Sequence, residues 1–388
     1  MSPSDDPIVQ DSASVPPCAS GTSSIIASDI AELLGRTAPL WRELADARLF
    51  ITGGTGFFGT WLLEAIVAAN RRFGLGCRVT ALSRDPTRFA TRAPHLAADP
   101  AVTFLAGDVR DFAFPEGPVT HVIHAATDVA PPAGPANPRD TLETCVAGTR
   151  RVVACARTTG ARRFLLVSSG AVYGRQPAEL SHIPEDFPGD TARSADLDAY
   201  AAGKRTAEAI CLEAAQDGPP TQRLPHLSVA RGFAFVGPGL PLDAHFAIGN
   251  FIRDVINGGP VTIRGDGSAL RSYLYAADMA EWLITILVRG RNATSYNVGA
   301  EEALSMRQLA IEVVDVAREC LPRDVRPDIV VQSIVPASAT AHRLVPCCRR
   351  AREQLGLSAT VVRREAIRRT MLHAIGRPSI SVPHSPAG

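Results

Sequence analysis

A single lysine stands among the 40 basic residues of this 388-residue chain, and it is Lys204. Arginine serves as the cation everywhere else, so the lone lysine marks a place that a planar guanidinium does not suit. Four residues before it stands the phenol of Tyr200, in the run Tyr200-Ala201-Ala202-Gly203-Lys204. On a helix this spacing sets phenol and ammonium on one face. The positive charge favours phenolate, and a phenolate can take the proton of an alcohol while the alcohol's carbon gives up hydride. Tyrosine and lysine meet at this spacing by chance in many helices, so the pair gains meaning only from its surroundings.

Two other stretches supply them. Phe50-Ile51-Thr52 leads into Gly53-Gly54-Thr55-Gly56-Phe57-Phe58-Gly59, after which Trp61–Ala69 reads as a helix. Strand, glycine loop and helix in that order make a dinucleotide cradle. Gly53 permits the tight turn, and Gly56 lets backbone N–H groups approach a pyrophosphate at the positive end of the helix. Gly59 allows helix and strand to pack closely. The competing reading is an ordinary tight turn. Farther on, Val167-Ser168-Ser169-Gly170-Ala171-Val172-Tyr173-Gly174 ends a strand on serines, at the edge where open α/β sheets bind ligands.

The end of the second strand bears on which dinucleotide fits. An acidic residue there would accept from a ribose 2′-hydroxyl and select NAD. This chain has Ala81-Leu82-Ser83-Arg84 instead, a hydroxyl and a guanidinium suited to a 2′-phosphate, with Asp85 one position late. The expectation is NAD(P), with NADP favoured unless the register shifts. Gly107-Asp108-Val109 closes the third strand, where Asp108 either reaches the adenine amino group or caps a turn.

The elements that must position these residues alternate. Leu49–Thr52, Arg78–Leu82, Val102–Leu105, His121–His124 and Phe164–Ser168 read as strands, and Leu142, Cys145, Val146, Thr149, Val152, Val153 and Ala156 repeat at helical spacing. The pattern predicts a Rossmann-type doubly wound parallel sheet, α/β in class, with a smaller C-terminal substrate-binding lobe. Residues 1–25 are expected to be disordered and 26–240 to form the dinucleotide-binding domain. Residues 241–376 should be mainly the substrate lobe, with about 273–300 returning to the first domain and 377–388 a disordered tail.

Composition narrows the rest. Net charge is +1, with 40 basic against 39 acidic residues, which offers no footprint for nucleic acid or an anionic membrane. The apolar runs are far shorter than a membrane span requires, and the N-terminus has no apolar stretch of the secretory kind. A cytoplasmic protein is expected. The eight cysteines lack the spacing of a zinc site or a disulfide scaffold and read as reduced core residues.

Over roughly residues 48 to 374 the chain resembles the extended short-chain dehydrogenase/reductase family, in particular its nucleotide-sugar epimerases and dehydratases. The resemblance rests on Thr52–Gly59, His124-Ala125-Ala126-Thr127, Ser168–Gly174, Tyr200–Lys204 and Arg231 with Gly237-Pro238. Further matches are Gly265-Asp266-Gly267 with Arg271, Asp278-Met279-Ala280 and Tyr296-Asn297-Val298-Gly299. It implies that Ser169 holds the sugar hydroxyl, Tyr200 is the acid/base, and Lys204 also grips the nicotinamide ribose. Ala125, Ala126 and Thr127 would line the cofactor, together with Gly53, Thr55, Gly56, Phe57, Phe58, Gly59, Ser83, Arg84, Asp108 and Val109. Asn250 and Arg271 would contact a nucleotide-diphosphate sugar, Arg271 by matching its fork to the phosphates, unless it is an ordinary surface ion pair. A homodimer built on the helices around Leu142–Ala156 and Tyr200–Ala215 is implied as well.

The departures matter equally. Family members that are 4,6-dehydratases carry an Asp-Glu pair directly after the residue matching Ser169, where this chain has Gly170-Ala171. Cys145 and Ala234 stand where many relatives have asparagine. Replacement acids or bases could come from Pro184-Glu185-Asp186-Phe187-Pro188, His182 or His245. The expectation is 4-epimerisation through transient oxidation at the sugar 4-position. The alternatives are an NADPH-dependent 4-keto-sugar reductase, a 4,6-dehydratase or decarboxylase, or a dinucleotide-sensing regulator, which the intact Ser169, Tyr200 and Lys204 argue against.

Overall fold

Successive residues of the central strands leave the sheet on opposite sides. Leu49 and Ile51 join one apolar cluster while Phe50 joins another; Leu165 and Val167 divide from Phe164 and Leu166 in the same way. A strand apolar on both faces must be covered twice, and parallel strands joined by crossover helices meet that demand. The computed structural model describes residues 22–127, 137–189, 198–217, 219, 223–244, 246–322, 327–332 and 342–376. Residues 1–21, the tail from 377 onward and His245 lie outside them.

The chain runs α1 (Thr22–Arg42), β1 (Arg48–Thr52), α2 (Phe57–Phe73), β2 (Arg78–Ser83), α3 (Pro86–Arg92), α4 (Pro94–Ala97), β3 (Val102–Ala106) and β4 (His121–His124). It continues with α5 (Pro138–Thr159), β5 (Arg163–Ser169), α6 (Ala199–Gln216) and β6 (Leu227–Gly232). Then come β7 (Phe235–Val236), α7 (Ala247–Ile256), β8 (Val261–Ile263), β9 (Leu270–Arg271), β10 (Leu274–Tyr275), α8 (Ala276–Arg289) and β11 (Thr294–Val298). The last described elements are β12 (Leu304–Ser305), α9 (Met306–Cys320), β13 (Ile329–Val331), β14 (Arg343–Leu344), α10 (Arg349–Leu355) and α11 (Arg363–Ile375).

Seven strands form one parallel sheet in the order β11-β6-β5-β4-β1-β2-β3. The chain reverses its direction of winding at β1, so β1 and β4 lie side by side with their carboxyl ends open to a crevice. Short strands make small separate pairings, including β9 with β12 and β14. No described helix is long and apolar enough to cross a membrane.

One element departs from the sequence expectation. Helix α1 begins at Thr22, within the segment read as disordered, and bends at Thr37, where φ is −117°. Pro39 explains the bend, since it has no N–H to donate and its ring crowds the carbonyl four residues back. The Ser/Thr-rich approach and the internal proline hid a stripe of Ile30, Leu33, Leu34, Leu40 and Trp41, all buried. Asp29 on this helix accepts from Tyr275 and pairs with Arg369 of α11, which joins the two ends of the described chain. Leu33 is fully buried, so Leu33→Ala should cost about 2–5 kcal/mol. Urea denaturation showing an unchanged midpoint would mean that α1 is not part of the core.

Candidate active site

The glycine loop is shaped by contact of backbone on backbone. Gly53 turns at φ +71°, and a Cβ there would lie 2.9 Å from the Ala125 carbonyl group and the Ala126 nitrogen. A Cβ on Gly59 would approach the Gly53 carbonyl oxygen to 2.3 Å. Neither position admits a side chain. Gly56 differs: a Cβ there would meet only the Gly53 carbonyl oxygen, at 3.4 Å, and the residue is exposed at the start of α2. Its bareness leaves the N-terminal N–H groups of α2 open, which suits a pyrophosphate. The residues present therefore fit a dinucleotide.

A buried histidine fastens β4 to this loop. His124 Nδ1 lies 2.8 Å from Thr52 Oγ1, and Nε2 lies 3.0 Å from Thr149 Oγ1. Thr149 donates its own proton to the Cys145 carbonyl at 2.6 Å, so it accepts from His124 Nε2–H. Thr52 accepts from the Ala126 N–H at 3.1 Å and donates to Nδ1. The imidazole is thus neutral. Burial, and then the nearby Lys204, push its pKa down to about 3.

On the other side of the crevice, β5 and α6 bring the catalytic candidates together. Asp198 caps α6 by accepting the Ala201 N–H at 2.7 Å. Lys204 is 4% exposed; its Nζ donates to the Val167 carbonyl at 2.9 Å and lies 5.8 Å from the centre of the Tyr200 ring. Tyr200 and Ser169 are half-buried, and Ser169 Oγ accepts from the Ala171 N–H at 3.2 Å. Cys145 packs directly on the turn between Tyr200 and Lys204, since a Cβ on Gly203 would lie 2.8 Å from its own. Behind them runs a polar chain that single motifs did not reveal. Ser168 donates to Glu208 at 2.5 Å, and Arg231 donates to both oxygens of Glu208 and to the Tyr173 hydroxyl. Tyr173 donates to Asn297 at 2.7 Å. Glu208 follows Lys204 by one further helical turn, the one signal that could have found it.

The remaining expected residues divide. Ser83 is buried, its hydroxyl 3.1 Å from Thr55 Oγ1, while Arg84 is exposed at the end of β2. Asp85 caps α3 through the Arg88 N–H at 2.9 Å. Arg92, which sequence reading missed, reaches the carbonyl of Thr55 on the loop itself. Asp108 chelates Arg110 and is held below the usual carboxylate range by it, so its carboxylate fastens its own turn. The Val109 side chain is turned into the core against Gly148. Phe57 and Phe58 are half-buried, and Phe58 packs edge-on to Phe235. Thr127 approaches Cys145, its hydroxyl 3.9 Å from Sγ.

On α7, Asn250 accepts from Arg253 at 3.1 Å. Arg271 bonds the carbonyls of Leu270 and His342 and, at 3.0 Å, His342 Nδ1. No ion pair holds it among the described residues. Its partners are two carbonyls and an imidazole nitrogen that must be unprotonated to accept. Two of the proposed replacement groups are engaged elsewhere. His182 Nε2 faces the Glu301 carbonyl at 2.9 Å, and Glu185 accepts the Asn297 N–H at 3.1 Å. Asp186 is exposed, and His245 lies outside the described residues.

A parallel sheet with a glycine cradle at its winding reversal and a Tyr-Lys pair beside a serine strand end defines a dinucleotide-dependent enzyme. The sequence profile of the NAD dependent epimerase/dehydratase family matches residues 49–299, and the chain belongs to that family. A UDP-glucuronic acid decarboxylase of Arabidopsis thaliana is 28% identical over 322 residues, covering 83% of this chain and 68% of that protein. UDP-glucose 4-epimerase of Thermotoga maritima, solved with UDP-glucose, superposes with a TM-score of 0.67 at 19% identity, covering 84% of this chain and 98% of that one. MoeE5, solved with UDP-glucuronic acid and NAD, gives 0.66 at 24% identity, covering 84% and 99%. The two solved structures share the fold.

His124 and His121, the latter with its pKa lowered to about 4 by burial and by Arg162 and Arg163, set an acid limit. Both lie below the unfolded value of about 6.5. Their stabilisation is complete above that value and is lost progressively as pH falls toward 4 and then 3. Each should remove about 2 kcal/mol between pH 6.5 and 5. Urea midpoints at pH 7 and pH 5 measure the loss, which His121→Gln should roughly halve; equal midpoints in the wild type would contradict it.

Proposed function

We propose that this enzyme transiently oxidises the 4-hydroxyl of a nucleotide-diphosphate sugar, and that the sugar is a uronic acid that loses carbon dioxide while it is a ketone. The observation that carries the choice is the likeness to curated UDP-glucuronic acid decarboxylases. It favours that outcome over the 4-epimerisation expected from sequence.

Ser169 would hold the 4-hydroxyl, and Tyr200, beside Lys204, would take its proton. NAD(P), which the Gly53–Gly59 loop would hold, would supply the hydride acceptance and return needed at C4. The ketone makes the C6 carboxylate a β-keto acid. The C5–C6 bond then breaks, its electrons pass to the ketone oxygen, carbon dioxide leaves, and a solvent proton enters at C5. No base is required at C5, which agrees with Gly170-Ala171 after the serine. Arg271, half-buried without an acidic partner among the described residues, would take the diphosphate. The same small pair also suits 4-epimerisation, which needs only hydride out, rotation of the ketone and hydride back.

Mass spectrometry of products from UDP-glucuronic acid, UDP-glucose and dTDP-glucose decides between these outcomes. Loss of carbon dioxide from the first is expected; an isomer of unchanged mass would mean epimerisation instead, and the absence of both products would defeat the reading. Tyr200→Phe should slow turnover ~10²–10⁴-fold with substrate binding nearly unchanged. Lys204→Arg should fail as well, because a guanidinium does not fit the buried site that one amino group fills. Near-normal turnover in either variant would place the chemistry elsewhere.

The cofactor assigned is NAD(P), with NADP favoured. In support, Asp85 is spent on a helix cap while Arg84 stands exposed at the strand end. Arg84→Ala should weaken NADP by roughly 1.5–3 kcal/mol and leave NAD nearly unchanged. Fluorescence titrations in which both weaken alike would reverse the preference.

A further inference from the structure

The glycine that follows the catalytic serine is bare for a reason that lies in the link between β6 and β7. Gly170 is buried, and a Cβ there would lie 2.9 to 3.0 Å from Cδ1, Cε1 and Cζ of the Phe233 ring. Phe233 has little freedom to yield. Its N–H donates to the Val298 carbonyl at 3.0 Å, and its ring centre lies 6.2 Å from that of Tyr173. A Cβ on Gly299 would already lie 3.2 Å from its own Cβ. Tyr173 is in turn fixed by Arg231 and Asn297.

Phe233 also belongs to a half-buried apolar set with Phe187 and Leu344, packed on Val172, Tyr173 and Ile183. Leu344 pairs with Arg271 across β14 and β9. The set therefore reaches from the serine turn to the arginine. A sugar whose diphosphate met Arg271 and whose 4-hydroxyl met Tyr200 would cross it.

We propose that Phe233 is a specificity-determining residue of the sugar pocket: its ring fills the space beside Gly170, bars an acidic side chain from that position, and closes the water-eliminating branch open to a 4-keto hexose. The proposal rests on the transient-oxidation reading above. In elimination a base takes the C5 proton, the C5–H electrons form the C5=C6 bond, and the C6–O bond breaks. An acid must give the departing hydroxyl the proton with which it leaves as water. With position 170 sealed, that acid has no place to stand. A uronic acid avoids the requirement, and an apolar ring beside its carboxylate disfavours the charge that decarboxylation removes.

Two measurements test this. The first needs no activity: thermal unfolding of Gly170→Ala, Phe233→Ala and the double variant. Gly170→Ala should melt lower than wild type, and adding it to Phe233→Ala should lower the melting temperature far less. Additive losses, or a Gly170→Ala protein as stable as wild type, would refute the seal. The second is product mass on a UDP-hexose. Gly170→Asp with Ala171→Glu and Phe233→Ala should give product lighter by one water, whereas the same acids with Phe233 retained should not. Water loss from the wild type or from the variant that keeps Phe233 overturns the proposal, as does its absence from a folded triple variant. Wild type inactive on every sugar nucleotide would defeat the proposed function, leaving the unfolding measurement to judge the seal.

Discussion

The contact on which the site depends is backbone against backbone. Where β1 and β4 lie side by side, the loop leaving one strand presses on the chain leaving the other, with no room for a methyl group at Gly53, and the start of α2 presses on that same loop with none at Gly59. Two carboxyl ends are thereby locked at a fixed separation, and the Thr52–His124–Thr149 chain ties both to α5. Backbone contacts of this kind have no rotamers to adjust, so the crevice they frame is stiff before anything binds. The helix that carries Tyr200 packs on α5 through Gly203 and Cys145, and so takes its position from the same anchor.

On the far side the site is supported by charge and hydrogen bonding. Glu208 and Arg231 are both largely shielded from water and satisfy each other through several bonds. They connect α6, β5, β6 and β11, the elements around Lys204 and Ser169. A buried pair of this kind adds little net stability compared with an apolar core, but breaking it leaves one charge unpaired. It defines geometry more than it contributes strength.

Much of this was legible in the sequence because its signals are local. The glycine loop, the apolar strands and the Tyr-Lys spacing each lie within a few residues, and each appears where the pattern placed it. What was hidden is non-local. Nothing in the Ser/Thr-rich approach to α1 announces a stripe that is buried only when α2 and α8 are beside it. The partner of Arg271 is 71 residues away. Gly170 looked like a missing acid, yet the ring that crowds it, Phe233, follows β6 and arrives only after a full crossover. Asp108 and Val109 follow the end of β3, and which way their side chains turn depends on Arg110 and Gly148.

The two outermost described helices fall outside the segment that the family profile matches. Helix α1 precedes it and α11 follows it, and Asp29, Tyr275 and Arg369 clasp them together over the back of the sheet. The fold is in this respect a belt with its buckle behind the active site. A chain shortened to the matched segment would keep every residue of the chemistry while stripping cover from Trp61, Tyr275 and the apolar face of α8. Borrowing only the catalytic half for a chimera would carry that bare, sticky surface along with it.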